Sequence, residues 1–309
     1  MGFLVNSTFA LAQRVYDNAI GSNEWRQNAN WSDGNFVNTD SRVIFQAGGN
    51  ITIGGSNADS GGNVRCSQMV FPDAGGAISY TFSGGQITLN GKFGTPSIKL
   101  DKVGQSVTFN NPFVWNGLGA AVTTQREWKF IKKQSVLTFN NTLKLQSTNA
   151  FFRVTANNIN SGNNINQTQF NLNHSLIGAG TIIFGNKSRP VFGPDYTGVN
   201  FNGIIEISGG AGANGVILTS NVANPKTFLR SGGLINVTAQ GASIIINGAN
   251  TYKGNINVLD NTVALDFQKN QPNAGKISMG SGRINLSGAT AVTTVAFKAQ
   301  DNTWGTGSL

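Results

Sequence analysis

His174 is the only histidine of the chain and Cys66 the only cysteine. A Ser-His-Asp triad would have to use His174, yet it lies in Phe170-Asn171-Leu172-Asn173-His174-Ser175 with no nucleophile elbow before it. A solvent-facing or rung histidine is the simpler reading. One His and one Cys exclude a zinc site built from those ligand types. Cys66 falls in an apolar stretch, Val64 to Phe71, and reads as a buried structural thiol. Being single, it permits no intrachain disulfide and leaves the compartment open. The 13 carboxylates are dispersed, the closest pair being Asp260 and Asp266. Hydrolysis of a glycosidic bond uses two facing carboxylates, and no pair adjacent in sequence supplies them. They read as solvated turn acids, and only pairing across strands would change that. Gly54 to Asp59 faintly resembles a calcium-binding turn, but it occurs once, without the array such sites need. No cofactor is expected.

The residues with the clearest capacity for binding are cations. The chain carries a formal charge of +9, densest at Arg126-Glu127-Trp128-Lys129-Phe130-Ile131-Lys132-Lys133. Aromatic residues interleaved with cations suit single-stranded nucleic acid, but a strand with a solvated cationic face is the plainer reading. Arg126, Lys129, Lys132 and Lys133 are therefore the candidate binding residues, for acidic partner subunits or cell-surface glycans rather than nucleic acid.

The elements that hold these residues are short strands. Gly accounts for 40 residues and charged residues for only 11%. Runs of Val, Ile, Leu and Phe, four to six residues long in most cases, alternate with Gly-Gly, Asn-Gly or Asn-Asn, as turns punctuate strands. Expected strands include Val64–Phe71, Ser106–Phe109, Val136–Phe139, Leu143–Leu145, Thr181–Phe184, Ile204–Ile207 and Ser243–Ile246. No apolar run is long enough for a transmembrane helix. Residues 1–20 lack the basic start of a signal peptide. Phe9, Ala12, Val15 and Tyr16 fall at helical spacing, which predicts a short helix over residues 7–19 capping the strand domain of residues 21–309.

Internal similarity selects the architecture. Phe109-Asn110-Asn111 returns as Phe139-Asn140-Asn141, an offset of 30, and Ile244-Ile245-Ile246-Asn247-Gly248 returns as Ile284-Asn285-Leu286-Ser287-Gly288, an offset of 40. Ile51-Thr52-Ile53-Gly54-Gly55 and Ile87-Thr88-Leu89-Asn90-Gly91 share one apolar-x-apolar unit. A solenoid with coils of roughly 20 residues or more produces such offsets. Ladders of apolar side chains would then fill the interior, with Asn ladders at the turns. The fold class expected is all-β, a right-handed parallel β-helix (β-solenoid) with a short N-terminal helical cap.

The segment Gly241 to Val258, with Ile244-Ile245-Ile246 before Gly248-Ala249-Asn250-Thr251-Tyr252-Lys253-Gly254, resembles the autotransporter-associated β-strand repeat. The opening is similar too, in Trp25, Asn28-Ala29-Asn30-Trp31-Ser32-Asp33-Gly34 and Val43-Ile44-Phe45. The resemblance implies an autotransporter passenger-like β-helix displayed outside a cell as adhesin or stalk. The chain is basic where such passengers tend to be acidic. The expected function is therefore a non-enzymatic structural or attachment protein on a particle surface, first a virion component in an oligomeric assembly. A bacterial surface adhesin and a tailspike-like glycan-cleaving enzyme are the alternatives.

Overall fold

The computed structural model describes residues 13–19, 21–32, 41–54, 62–90, 97–116, 125–130, 134–146, 151–156, 168–184 and 188–207. Beyond these it describes strand segments 217–220, 234–237, 243–246, 255–258, 264–267, 277–279, 283–285 and 303–304. All ladders between the described strands are parallel, and they form three sheets of 12, 10 and 6 strands. These are the faces of one solenoid, here called A, B and C in that order of size. The chain visits A, then B, then C, and returns to A one coil higher.

Six coils carry a strand on every face, from Arg42–Phe45 on face A to Thr197–Phe201 on face C. From Ile204–Ile207 onward the described strands alternate between faces A and B. Coil length follows from register: Arg42 pairs with Gln68, 26 residues on, and Phe151 with Thr181, 30 on. It falls to 21 where Leu234 pairs with Asn255. The sequence offset of 30 is one coil, since Phe109 pairs with Phe139. The offset of 40 spans two coils, Ile244 to Leu265 to Ile284. From Ile217–Ser220 onward the side chains lie outside the described residues, apart from Ile235. The likeness of Ile51–Ile53 to Ile87–Leu89 is not a stacking relation. The first belongs to face B and the second to face C, so the same pattern serves two walls of the coil.

Alternation buries every second side chain of a strand whose outer face is wet. Ser106–Phe109 and Val136–Phe139 both follow it, with Val107, Phe109, Leu137 and Phe139 in the core. Stacking then repeats each choice along the axis. Ring centroids of Phe82 and Phe109 are 5.0 Å apart, and those of Phe109 and Phe139 5.2 Å, with the rings nearly parallel at 22° and 21°. That spacing is close to the strand separation of about 4.8 Å, so one aromatic per coil suffices for a continuous column. On face A the column Phe152, Ile182, Ile205, Ile235 is fully buried.

Turns are shaped by what lies in the coil below. Gly178 has φ +98°, and a Cβ there would overlap the carbonyl oxygen of Leu145, its partner in the previous coil. Only glycine satisfies both demands. Val64–Phe71, expected as one strand, is two: Val64–Cys66 on face C and Gln68–Phe71 on face A, with the corner at Ser67. The Ser67 amide donates to the Ser41 carbonyl at 3.0 Å, so the bend is held by the coil beneath and needs no glycine. Cys66 is buried, as its sequence context required.

The expected N-terminal helix is corrected where the structure describes it. Gln13–Tyr16 is a strand, paired in parallel with Arg42–Phe45 as the first rung of face A; residues 1–12 lie outside the described residues. The local spacing fits a helix, but tertiary packing decides. Tyr16 is fully buried against Trp31 and Phe45, at ring distances of 5.3 and 5.8 Å. Residues 21–32 cover this end of the described core. Trp25 and Trp31 lie across the end of the core, with Trp31 Nε1 donating to the Trp25 carbonyl at 2.6 Å. Trp25 N donates to Thr52 O at 2.9 Å and Thr52 N to Asn23 O at 2.7 Å, which occupies the free edge of strand Gly49–Ile53.

Three of the four tyrosines, Tyr16, Tyr80 and Tyr196, are buried in this core. Burial raises the pKa of each phenol, that of Tyr80 to about 12 even though its oxygen accepts a hydrogen bond from the Ala77 amide. The fold holds the neutral phenols, so their contribution is complete below the ordinary tyrosine value of about 10. It is lost as pH climbs through the raised values. At a pH of about 11, tyrosinate absorbance should be much weaker in native than in urea-unfolded protein. Equal absorbance would show these rings to be wet.

Candidate functional site

Two of the four candidate cations lie on described residues, Arg126 and Lys129, on the face A strand Gln125–Phe130. Register separates them. Arg126 pairs with Phe152, a member of the buried column, whereas Lys129 pairs with Lys99 below and Thr155 above. Three residues apart on a strand of period two, they occupy columns of opposite parity. Lys132 and Lys133 lie outside the described residues. The cation that the fold brings beside Lys129 is thus Lys99, which sequence reading missed because it is one coil away. Lys99 Nζ is 2.6 Å from Asp101 Oδ2. At the next corner Lys102 Nζ donates to the Gly76 carbonyl at 2.7 Å.

Of the two closest acids, Asp266 sits on strand Ala264–Phe267 between Ile245 and Asn285 in register, and Asp260 lies outside the described residues. Residues 55–60, which hold most of the calcium-like turn, lie outside them too. Among the described residues no group of three or more His, Cys, Asp or Glu is placed to hold a metal ion. No helix among them is long and apolar enough to cross a membrane.

The corner between faces B and C carries a built polar feature. In three successive coils it begins with Asn110, Asn140 and Asn173, each directly after a face B strand. Their amides form a ladder: Asn140 Nδ2 donates to Asn110 Oδ1 at 2.8 Å, and Asn173 Nδ2 to Asn140 Oδ1 at 2.8 Å. In the fourth coil Gly193 takes this place, and a Cβ there would overlap the Asn173 amide oxygen. Corner length changes at the same point. Between strands there are two residues, Asn173 and His174, and one coil higher four, Gly193 to Tyr196. Tyr196 turns inward against Phe192 at 4.7 Å, while Pro194 and Asp195 project outward. A short corner beneath a long one leaves a groove of about 570 Å³ lined by Asn140, Asn173, His174, Pro194 and Asp195. His174 is exposed, as its context suggested. Its proximity to Asp195 was not legible, because that depends on the length of the intervening coil.

No family model, curated protein or solved structure matches the chain.

Proposed function

We propose that this chain is a non-enzymatic structural or attachment element on a particle surface, and specifically a component of a virion. The observation that carries this reading is axial repetition: one aromatic column and one amide column each run through three successive coils. Each described coil rests on its neighbours through parallel ladders on two or three faces, which makes a stiff rod suited to holding a surface at a distance. The excess positive charge supports a binding role, since it steers acidic subunits or anionic glycans toward the rod.

Two measurements test it. The first locates the chain by labelling intact particles and cell envelopes with an antibody. Labelling of the particle exterior supports the virion reading, and labelling confined to a bacterial envelope replaces it with the adhesin. The second follows association with particle components across a salt series, for wild type and for a triple variant with Lys129, Lys132 and Lys133 changed to Gln. Exposed charges are screened over about 10 Å at 0.1 M salt, so wild-type association should weaken as salt rises and the variant should start weak. Salt-independent association, or no difference in the variant, removes these lysines from the mechanism. Steady release of fragments from a surface glycan would overturn the non-enzymatic reading.

A further inference from the structure

We infer that the outer surface of face B is an ice-binding surface, an activity of the rod's flank that goes beyond the attachment reading. Five coils build it, through the in-register strands Gly49–Ile53, Ser79–Gly84, Ser106–Phe109, Val136–Phe139 and Thr168–Leu172. Alternation turns Phe82, Phe109 and Phe139 inward and leaves Thr81, Thr108 and Thr138 outward and half-buried, one directly above another. Asn50 below and Asn171 above extend this column. A second column runs beside it through Ser79, Ser106, Val136 and Gln169. None of the five strands contains a charged residue. Yet the chain carries +9, and the other two faces of these coils present Arg42, Arg65, Lys99 and Lys144 outward.

The chemistry of this surface selects ice, whose own surface is an uncharged lattice of waters that donate and accept hydrogen bonds at fixed repeats. A charged side chain draws water into its own hydration shell and breaks such a lattice. A hydroxyl both donates and accepts, and the threonine methyl fills the space beside it. Position is fixed in two directions. Rungs repeat at about 4.8 Å along the axis and alternate residues at about 6.7 Å along the strand, both near the oxygen repeats on the prism faces of ice. Threonine is stiff at χ1, and the nearly parallel rings beneath, 5.0 and 5.2 Å apart, stack in step with the rungs. The hydroxyls are also available. Asn171 Nδ2 donates to Thr138 Oγ1 at 3.1 Å, while among the described residues Thr81 and Thr108 make no side-chain bond to the protein. Other occupants fit less well. An anionic polymer finds no cation on these strands. A second copy would bury roughly 300 Å² per partner, from five rungs of about four residues, against about 800 Å² in a stable interface.

The test places the full chain at an ice surface. In nanolitre osmometry the wild type should open a gap between melting and freezing points that widens with protein concentration. Fluorescently labelled protein should also concentrate in a slowly growing ice hemisphere. Thr108→Lys sets a charge at the centre of the surface and should lose most of the gap and of the uptake, with its circular dichroism unchanged. Thr81→Lys, one coil below, is a second variant with the same expected loss, should the first misfold. Lys144→Ala, on face C, should keep both activities in full. Neither a freezing gap nor uptake by the wild type would overturn the inference. So would undiminished activity in a folded Thr108→Lys or Thr81→Lys protein, or an equal loss in Lys144→Ala. Sedimentation velocity supplies the remaining outcome: a wild-type dimer that Thr108→Lys dissociates would show that face B meets a second copy instead, and would overturn the inference too.

Discussion

Replacing Trp25 with alanine is expected to lower stability by about 3–5 kcal/mol and to increase self-association. Both effects follow from its position at the end of the solenoid. Trp25 is fully buried, with ring centroids 5.3 Å from Trp31, 5.3 Å from Phe45 and 6.2 Å from Phe82. An aromatic of this size removes about 150–250 Å² from water, and at about 25 cal/mol per Å² burial alone contributes about 4–6 kcal/mol. Among the described residues no coil lies below to refill the space. Its backbone also covers the strand edge at Thr52, and an open edge is a template for pairing with another chain. Urea denaturation would measure the first effect and sedimentation velocity the second. Ile78→Ser, at a position 57% exposed, serves as a control expected within about 0.5 kcal/mol of wild type. A Trp25→Ala protein that stays as stable and as monomeric as that control would show that residues 21–32 do not cap the fold.

The sequence pattern reached the coils but not their corners. Strands such as Val136–Phe139, Leu143–Leu145 and Thr181–Phe184 stand where their apolar runs put them, because each strand's alternation or apolar run is a local property. Phe113–Trp115, Ser175–Gly178 and Thr197–Phe201 on face C, and Ser188–Phe192 on face B, are not marked by the sequence pattern. Their runs are short, and two of them are polar enough to pass for turns. They become strands because the coils below present a matching edge. The break at Ser67 was invisible for a related reason, since the bend is stabilised by Ser41 in the previous coil and not by a turn residue. The helix expected over residues 7–19 is a strand at Gln13–Tyr16. Helical spacing around Tyr16 is real, but the aromatic surface of Trp31 and Phe45 holds that residue in a strand. The same limit applies to function. His174 and Asp195 were each legible as exposed turn residues, whereas the groove between them required both corner lengths and the end of the amide ladder at Gly193.

Phe109→Ala should cost about 3–5 kcal/mol and, more tellingly, divide one unfolding transition into two. Phe109 is the middle of the aromatic column. It stacks on Phe82 at 5.0 Å below and Phe139 at 5.2 Å above, and meets Phe113 of its own coil at 4.7 Å. Removing the ring leaves a cavity between coils and deletes three aromatic contacts, each adding about 0.5–1.5 kcal/mol beyond burial. In a protein of stacked repeats each coil touches only its neighbours, so cooperativity is a chain of interface terms and the weakest interface sets where it breaks. A loss of this size in one interface lets the coils before Phe109 open separately from those after it. Asn140→Ala, which cuts the amide ladder at the neighbouring corner, removes exposed hydrogen bonds of about 0.5–1.5 kcal/mol each. It should lower the midpoint slightly and keep a single transition. Hydrogen exchange followed by segment during denaturation resolves the two cases. In Phe109→Ala, strands Arg42–Phe45 and Val136–Phe139 should lose protection at different urea concentrations, and in Asn140→Ala at the same one. Coincident loss of protection in Phe109→Ala would mean that the backbone ladders, rather than the aromatic column, carry cooperativity along the rod.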